Sequence, residues 1–281
     1  MAALRNLVSE GVTRLSSGPH PGRARQDAEA LLLHVLGKSK SWLLAHSDEQ
    51  LAASEASRYG DLLDRRYRGE PIQYIVGEAE FYGLPFRVTP DVLIPRPETE
   101  HLVEKVLALA ASFPAPRIVD VGVGSGCIAV ALAHHLPQAR ITAIDLSAPA
   151  LAIAEENAKR NGVALRFLEG DLLTPVAGEH FDLIASNLPY VPLADRATLA
   201  VEVRDHEPAV ALFAGDDGLE ICRRLIPAAF AALVSGGFLL LEIGHGQSQA
   251  IAALLAAAGF RRIEFLPDLQ SIPRVACAQR P

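Results

Sequence analysis

Several scarcities narrow the class of this 281-residue chain before any motif is read. It has only three cysteines, Cys127, Cys222 and Cys277, far apart and in no ligand spacing. That excludes a zinc site and a disulfide framework, and predicts ordinary buried thiols in a reducing compartment. Positive charge is not in excess: Lys plus Arg is 26 against 33 for Asp plus Glu, a net charge of −7. A chain that coats nucleic acid is usually basic, so that class starts at a disadvantage. There is no apolar run of the kind that leads a secreted protein. The uncharged stretch from Pro227 to Leu241 is broken by Gly236-Gly237 and is too short to span a bilayer. The nine histidines and the acids show no metal-ligand spacing, and His206 and His245 read as structural or exposed. A soluble, cytoplasmic protein with no membrane partner and no bound metal is expected.

What is present is core material. Half of the residues are hydrophobic and 21% are charged, enough to bury a large interior in one or two domains. Residues 1–75 read as helices. Leu4, Leu7, Val8, Val12 and Leu15 recur at helical spacing until Ser16-Ser17-Gly18-Pro19. Asp27 to Leu36 and Ser54 to Arg68 give two more helices, with Ala28, Leu31, Leu32 and Val35, then Leu62-Leu63, turned inward. The charges of this region nearly cancel, and Arg65, Arg66 and Arg68 read as a solvated face, with docking of an acidic partner as the other reading. From Pro71 the texture changes to short β-type runs (Ile72 to Val76, Phe81, Phe86 to Val88) punctuated by glycine and proline, which suggests a hairpin or extended linker over 76–95.

Residues 96–281 alternate between strand and helix patterns. Strands are predicted at Arg117–Val121, Arg140–Asp145, Leu165–Glu169, Phe181–Ser186 and Gly237–Ile243. Helices are predicted at Cys127–Leu136, Pro149–Asn161, Leu219–Val234 and Gln247–Ala258. This order predicts an α/β fold with a doubly wound sheet.

Three strand ends carry chemistry. Asp120-Val121-Gly122-Val123-Gly124-Ser125-Gly126 is a glycine-rich strand-to-helix turn that brings backbone N–H groups close to a ligand at a helix N-terminus. The spacing is G-x-G-x-G, and Cys127 stands where a dinucleotide fingerprint has its last glycine. The acid two residues before the first glycine suits a ligand with a cationic amino-acid end better than a pyrophosphate. Asp145 ends the second strand, where a carboxylate can accept both hydroxyls of a ribose or, alternatively, cap the next helix. Asp171, with Leu172 beside it, could accept from an exocyclic amine while the leucine covers a ring face; an Asx turn is the other reading.

Directly after the fourth strand comes Ser186-Asn187-Leu188-Pro189-Tyr190. A planar amide or aryl amine is a poor nucleophile because its lone pair is delocalised. Two acceptors on its hydrogens would orient it and favour pyramidal nitrogen as a methyl group arrives. The Asn187 side-chain oxygen and the Leu188 carbonyl could be those acceptors, with Pro189 restricting Leu188 to extended ψ. Tyr190 offers a ring face for packing and for the charge that develops on nitrogen.

Together, Asp120 to Gly126, Asp145, Asp171 and Asn187 to Tyr190 resemble a class I S-adenosylmethionine-dependent methyltransferase of the amino-methylating branch. Phe81-Tyr82-Gly83-Leu84-Pro85-Phe86, Ile94-Pro95-Arg96-Pro97-Glu98-Thr99-Glu100, Glu207-Pro208 with Ala211-Leu212, and Glu242-Ile243-Gly244 with Gln247 narrow the resemblance to the HemK/PrmC family. It covers essentially the whole chain and implies a Rossmann-like methyltransferase domain behind a helical substrate-recognition domain and a β-hairpin. It further implies methylation, at N5, of the glutamine in the Gly-Gly-Gln loop of class I peptide chain release factors, with S-adenosylhomocysteine as product. On that basis Asp120, Gly122, Val123, Gly124, Ser125 and Gly126 hold the methionine end, Asp145 the ribose, and Asp171 and Leu172 the adenine. Asn187, Leu188, Pro189 and Tyr190 hold the glutamine amide, Asn187 also bordering the cofactor, while Arg96, Glu98 and Thr99 lie near the site as a cover; Glu98-Thr99-Glu100 reads equally as the first turn of a helix.

Position 188 departs from the family, whose pattern has a second proline there. The backbone carbonyl survives, so activity is expected with a less rigid loop. An adenine-N6 or guanine-N2 nucleic-acid methyltransferase faces the same planar-amine problem and is the alternative, disfavoured by the acidic balance. A cofactor-binding regulator without turnover is a third reading, motivated by Leu188.

Overall fold

The computed structural model describes residues 3–281 and divides into two compact units. The first comprises residues up to Gly77 together with Leu199–His206. Its helices span Leu4–Leu15, Ala24–Leu36, Lys40–Ala45, Ala53–Tyr67, Ile72–Val76 and Val201–His206. Leu4, Leu7, Leu31, Leu32, Leu43, Tyr59, Leu63 and Ile75 fill its core, as apolar residues at helical spacing must when one stripe of each helix is buried. Leu62 is only half-buried.

Two expectations are corrected in this unit. The run Ile72–Val76 is a helical turn, not a strand. Pro71 precedes it and Gly77 closes it in the left-handed region (φ 77°), and these end signals outweigh the β-branched residues between them. Arg66 is not on a solvated face: it is 2% exposed. Its Nε donates to Asp27 Oδ2 at 2.6 Å and its Nη1 to Glu202 Oε2 at 3.0 Å. Arg65 pairs with Glu70, and Arg68 is exposed.

The second unit, Glu78–Thr198 with Glu207–Pro281, opens with an antiparallel hairpin of β1 (Glu78–Phe81) and β2 (Leu84–Arg87). The main sheet contains β3 (Arg117–Val121), β4 (Arg140–Asp145), β5 (Arg166–Glu169), β6 (Phe181–Ser186), β7 (Leu233–Glu242), β8 (Arg261–Pro267) and β9 (Pro273–Gln279). Their order is β5-β4-β3-β6-β7-β9-β8, parallel except that β9 runs against both neighbours. Helices Glu100–Ala110, Cys127–His135, Ala148–Arg160, Glu220–Ala232 and Ser248–Ala257 belong to the same unit.

Alternate residues of each strand enter two separate cores. In β3, Ile118 joins Leu102, Val106, Leu132, Leu183 and Val275 on one face; Val119 and Val121 join Ile144, Ile184, Leu225, Leu241 and Phe260 on the other. Both faces are covered, which is why these strands read as unbroken apolar runs. Phe81 and Phe86 bring the hairpin into the first core. The fully buried Asn157 pins it further, accepting from Arg87 N–H at 2.7 Å and donating to the Arg87 and Ser125 carbonyls at 2.9 and 2.8 Å. All three cysteines are free thiols; Cys222 and Cys277 are buried and Cys127 is half-buried. Among the described residues no helix is long and apolar enough to cross a membrane.

Candidate active site

The chain leaves β3 for β4 and β5 on one side, then returns to place β6 on the other. Open α/β sheets bind ligands at the strand carboxyl ends where the winding reverses, here between β3 and β6. A cavity of about 200 Å³ opens there, room for roughly 13–20 waters at ~10–15 Å³ each. Gly122, Val123, Gly124, Ser125, Asp145, Asp171, Leu172, Asn187, Leu188 and Pro189 all line it. Asp120, Gly126 and Tyr190 do not reach its wall. The segment Asp91–Arg96 and residues Thr99, Leu146, Val210 and Arg224 also line it, none of them singled out from strand-end chemistry.

The glycine turn is shaped by close approach. Gly122 has φ 77°, and a Cβ there would lie 3.0 Å from Leu188 Cδ2. Leu188 thus uses its departure from proline as packing: its side chain is buried against the turn it faces. The turn is tied to β4 by Gly122 N–H and Val123 N–H, both donating to the Ile144 carbonyl. Asp145 accepts from Gly124 N–H at 2.8 Å through Oδ2 and from Ser147 N–H at 2.9 Å through Oδ1. Ser147, not Asp145, caps the following helix. One N–H on each oxygen leaves carboxylate lone pairs for a diol.

Asp120 sits behind the turn with no exposed surface. Its Oδ2 accepts from Ala129 N–H at 3.1 Å, while Oδ1 has no hydrogen-bond partner among the described residues. Burial, with the Asp145 charge adding to it, pushes its carboxyl up to about 7. A buried acid short of a partner is poised for a cation. Asp171 is engaged: Arg224 pairs with it. Leu172 beside it adopts φ 51°, an uncommon conformation for a residue other than glycine.

At the end of β6, Asn187 Nδ2 donates to Thr99 Oγ1 at 3.1 Å, and Thr99 donates to Glu242 Oε2 at 2.6 Å. Burial raises the Glu242 carboxyl to about 7, reinforced by the Glu98 charge and opposed by hydrogen bonds from Thr99 and Asn187. Tyr190 is held by its backbone, whose carbonyl accepts from Gln247 Nε2 at 3.0 Å. Gly218 lies against the same carbonyl so closely that a Cβ would be 2.1 Å from it. Burial pushes the Tyr190 phenol up to about 12, so it stays a neutral ring. Arg96 pairs with the buried Glu207 at 2.5 Å, and His245 is exposed while His206 is half-buried.

Comparison with known proteins gives the family. The PrmC N-terminal domain family matches residues 6–77, and the methyltransferase small domain family matches residues 99–203. A release factor glutamine methyltransferase from Moorella thermoacetica is 44% identical over 280 residues, covering 99% of this chain and 98% of its own. One from Koribacter versatilis is 42% identical over 279 residues, covering 99% of each. Among solved structures, the hMettl16 catalytic domain in complex with a MAT2A 3′UTR hairpin superposes with a TM-score of 0.59 at 16% identity, over 87% of this chain and 93% of that one, a likeness of fold. The sheet is that of a class I methyltransferase, and the chain belongs to the release factor glutamine methyltransferase family.

Proposed function

We propose that this protein transfers a methyl group from S-adenosylmethionine to the side-chain amide nitrogen of the glutamine in the Gly-Gly-Gln loop of class I peptide chain release factors. The observation that carries the reading is Asn187: its amide NH2 is turned inward to Thr99, so its oxygen is left to the cavity that the glycine turn and Asp145 also line.

The residues fit the cofactor. Asp120, behind the Gly122–Gly126 turn and off the cavity wall, keeps an orphaned Oδ1 whose charge is complementary to an ammonium group held by the backbone of that turn. Asp145 has lone pairs for the ribose hydroxyls, and Asp171 and Leu172 border the space for adenine, with Arg224 sharing Asp171. When bound, the cofactor would supply a methyl group on a positively charged sulfur that keeps the bond pair as a neutral thioether; the methylated amide nitrogen, acidic once charged, gives up one proton to water, so neither a metal nor a strong base is needed. The protein's part is orientation: Asn187 Oδ1 and the Leu188 carbonyl accept the two hydrogens of the glutamine amide and aim its nitrogen. The Tyr190 ring, kept neutral by burial, stabilises positive charge developing on that nitrogen. The helical unit is assigned to docking the release factor outside the glutamine loop, in a cytoplasmic setting.

Incubation with methyl-labelled cofactor and either purified release factor or duplex DNA tests the assignment. Label is expected in the release factor and absent from its Gly-Gly-Ala variant. Label in the DNA instead would replace this reading with the nucleic-acid one. Asp145→Ala is expected to weaken cofactor binding by about 1.5–3 kcal/mol, the scale of hydrogen bonds to a charged group, which titration calorimetry would register as roughly a ten- to hundredfold rise in Kd. An unchanged Kd would show that the ribose is held elsewhere.

A further inference from the structure

Asn187 can accept from a substrate amide only if it presents oxygen, not nitrogen, to the cavity. The two ends of an Asn amide have nearly the same shape, so the partner on the protein side decides. Two groups stand on that side: Thr99 Oγ1, which accepts from Nδ2 and is itself hydrogen-bonded to Glu242 Oε2, and the Glu242 carboxylate, whose charged form a hydrogen bond from Asn187 also favours. Thr99 is 1% exposed and Glu242 4%, so water is a poor substitute for either. An ionised carboxylate only accepts. Thr99 must then direct its single proton to Glu242 and its lone pair to Asn187, which keeps Nδ2 inward and Oδ1 outward. A protonated Glu242 can instead donate to Thr99. The Thr99 proton is then free for Asn187 Oδ1, and the amide can turn over to present its NH2 to the cavity, where it would oppose the hydrogens of the incoming amide.

We propose that Thr99 and Glu242 are positioning residues that set the polarity of the Asn187 amide, the carboxylate form of Glu242 holding the oxygen toward the substrate and the protonated form releasing it. This rests on the reading of Asn187 as the amide acceptor. Glu242 does not line the cavity, so it acts only through Thr99 and Asn187. The charged and titratable groups around it are Glu98, which favours its neutral form, and Arg274, which favours the carboxylate. Tyr190 and Cys127 also feel its charge, and both are themselves held neutral by burial. With burial dominating, Glu242 titrates at about 7, inside the working range of a cytoplasmic enzyme.

The test is kcat against pH in the neutral range at saturating cofactor and release factor, for the wild type, Glu242→Gln, Thr99→Val, Thr99→Ser and Asn187→Ala. Saturating cofactor matters because Asp120 also titrates at about 7, and its ionisation should act on cofactor affinity. Wild-type kcat should fall as pH drops through about 7. Glu242→Gln, which has no proton to gain, should turn over without that fall. Above the Glu242 titration Thr99→Val should lose roughly tenfold in kcat, the scale of one hydrogen bond, a deficit that narrows as the wild type itself falls at lower pH; cofactor Kd should be nearly unchanged, and Thr99→Ser should restore the rate. An acid fall that persists unaltered in Glu242→Gln, or a Thr99→Val enzyme with undiminished kcat, overturns the proposal. Should Thr99→Val not fold, the Glu242→Gln profile decides alone. A fully active Asn187→Ala would remove the acceptor reading itself; an inactive Asn187→Ala beside an unimpaired Thr99→Val would remove only the relay.

Discussion

Asn187→Ala is expected to lower kcat by at least ~10²–10³-fold, the scale seen when one preorganised hydrogen-bonding group is taken from a developing charge, while cofactor affinity changes only a few-fold. The asymmetry follows from what the side chain does. Before reaction, a glutamine amide shares its lone pair with its carbonyl, and its N–H groups are ordinary donors. As the methyl group arrives, the nitrogen gains positive charge and its hydrogens become stronger donors. The bond to Asn187 Oδ1 therefore tightens toward the transition state, which is the condition for an interaction to raise kcat and not merely lower KM. Alanine removes the acceptor and also leaves the inward hydroxyl of Thr99 without the NH2 it faces. Single-turnover rates with saturating release factor, set beside calorimetric cofactor titration, check both halves. Turnover within tenfold of wild type would contradict the two-acceptor clamp.

The second large effect concerns stability, not chemistry. Arg66→Ala is expected to destabilise the helical unit by about 3–5 kcal/mol, the cost of stranding a buried charge. Asp27 and Arg66 are each 2% exposed. With Arg66 gone, Asp27 is left with Arg23, 3.8 Å away and half-exposed, which is a poor replacement for a buried guanidinium at 2.6 Å. Glu202 would lose a 3.0 Å partner in the same step. Trp42 is the only tryptophan in the chain and belongs to this unit, so its fluorescence in a denaturant titration reports the transition directly. An unshifted midpoint would mean that the pair is dispensable. Replacing Arg66 and Asp27 together by apolar residues of similar size should recover much of the loss, because the penalty lies in the orphaned charge and not in the absence of the pair.

How far the sequence was legible depends on the distance over which each feature is decided. The strands β3, β4 and β6 begin and end where the apolar runs do, because a parallel strand covered on both faces needs only its own residues to announce it. The glycine turn, Asp145 and Asn187 are legible for a related reason: each sits at the end of such a strand, while Asp171 follows the half-exposed edge strand β5. Ile72–Val76 is less legible, because its β-branched residues favour a strand while the flanking Pro71 and Gly77 decide for a helical turn. The start of β7 is hidden for another reason: the helix before it gives way to extended backbone at Leu233 without a loop, four residues ahead of Gly237. Arg66 was unreadable locally because the residues that bury it lie 39 and 136 positions away. The same holds for the relay behind Asn187, whose links join residues 88 and 143 positions apart. The family string containing Thr99 marked it as noteworthy but could not say that its hydroxyl faces Asn187.

The helical unit borrows Leu199–His206 from a stretch of sequence more than a hundred residues beyond Ile72–Val76. It is consequently not a cassette. A fragment cut after Gly77 would lack Glu202, and grafting the first 77 residues onto another methyltransferase would import Arg66 without one of its two carboxylates. Chimeras and truncations of this protein should be drawn with two segments moved together, and recombination between relatives would be tolerated only where both travel from the same parent.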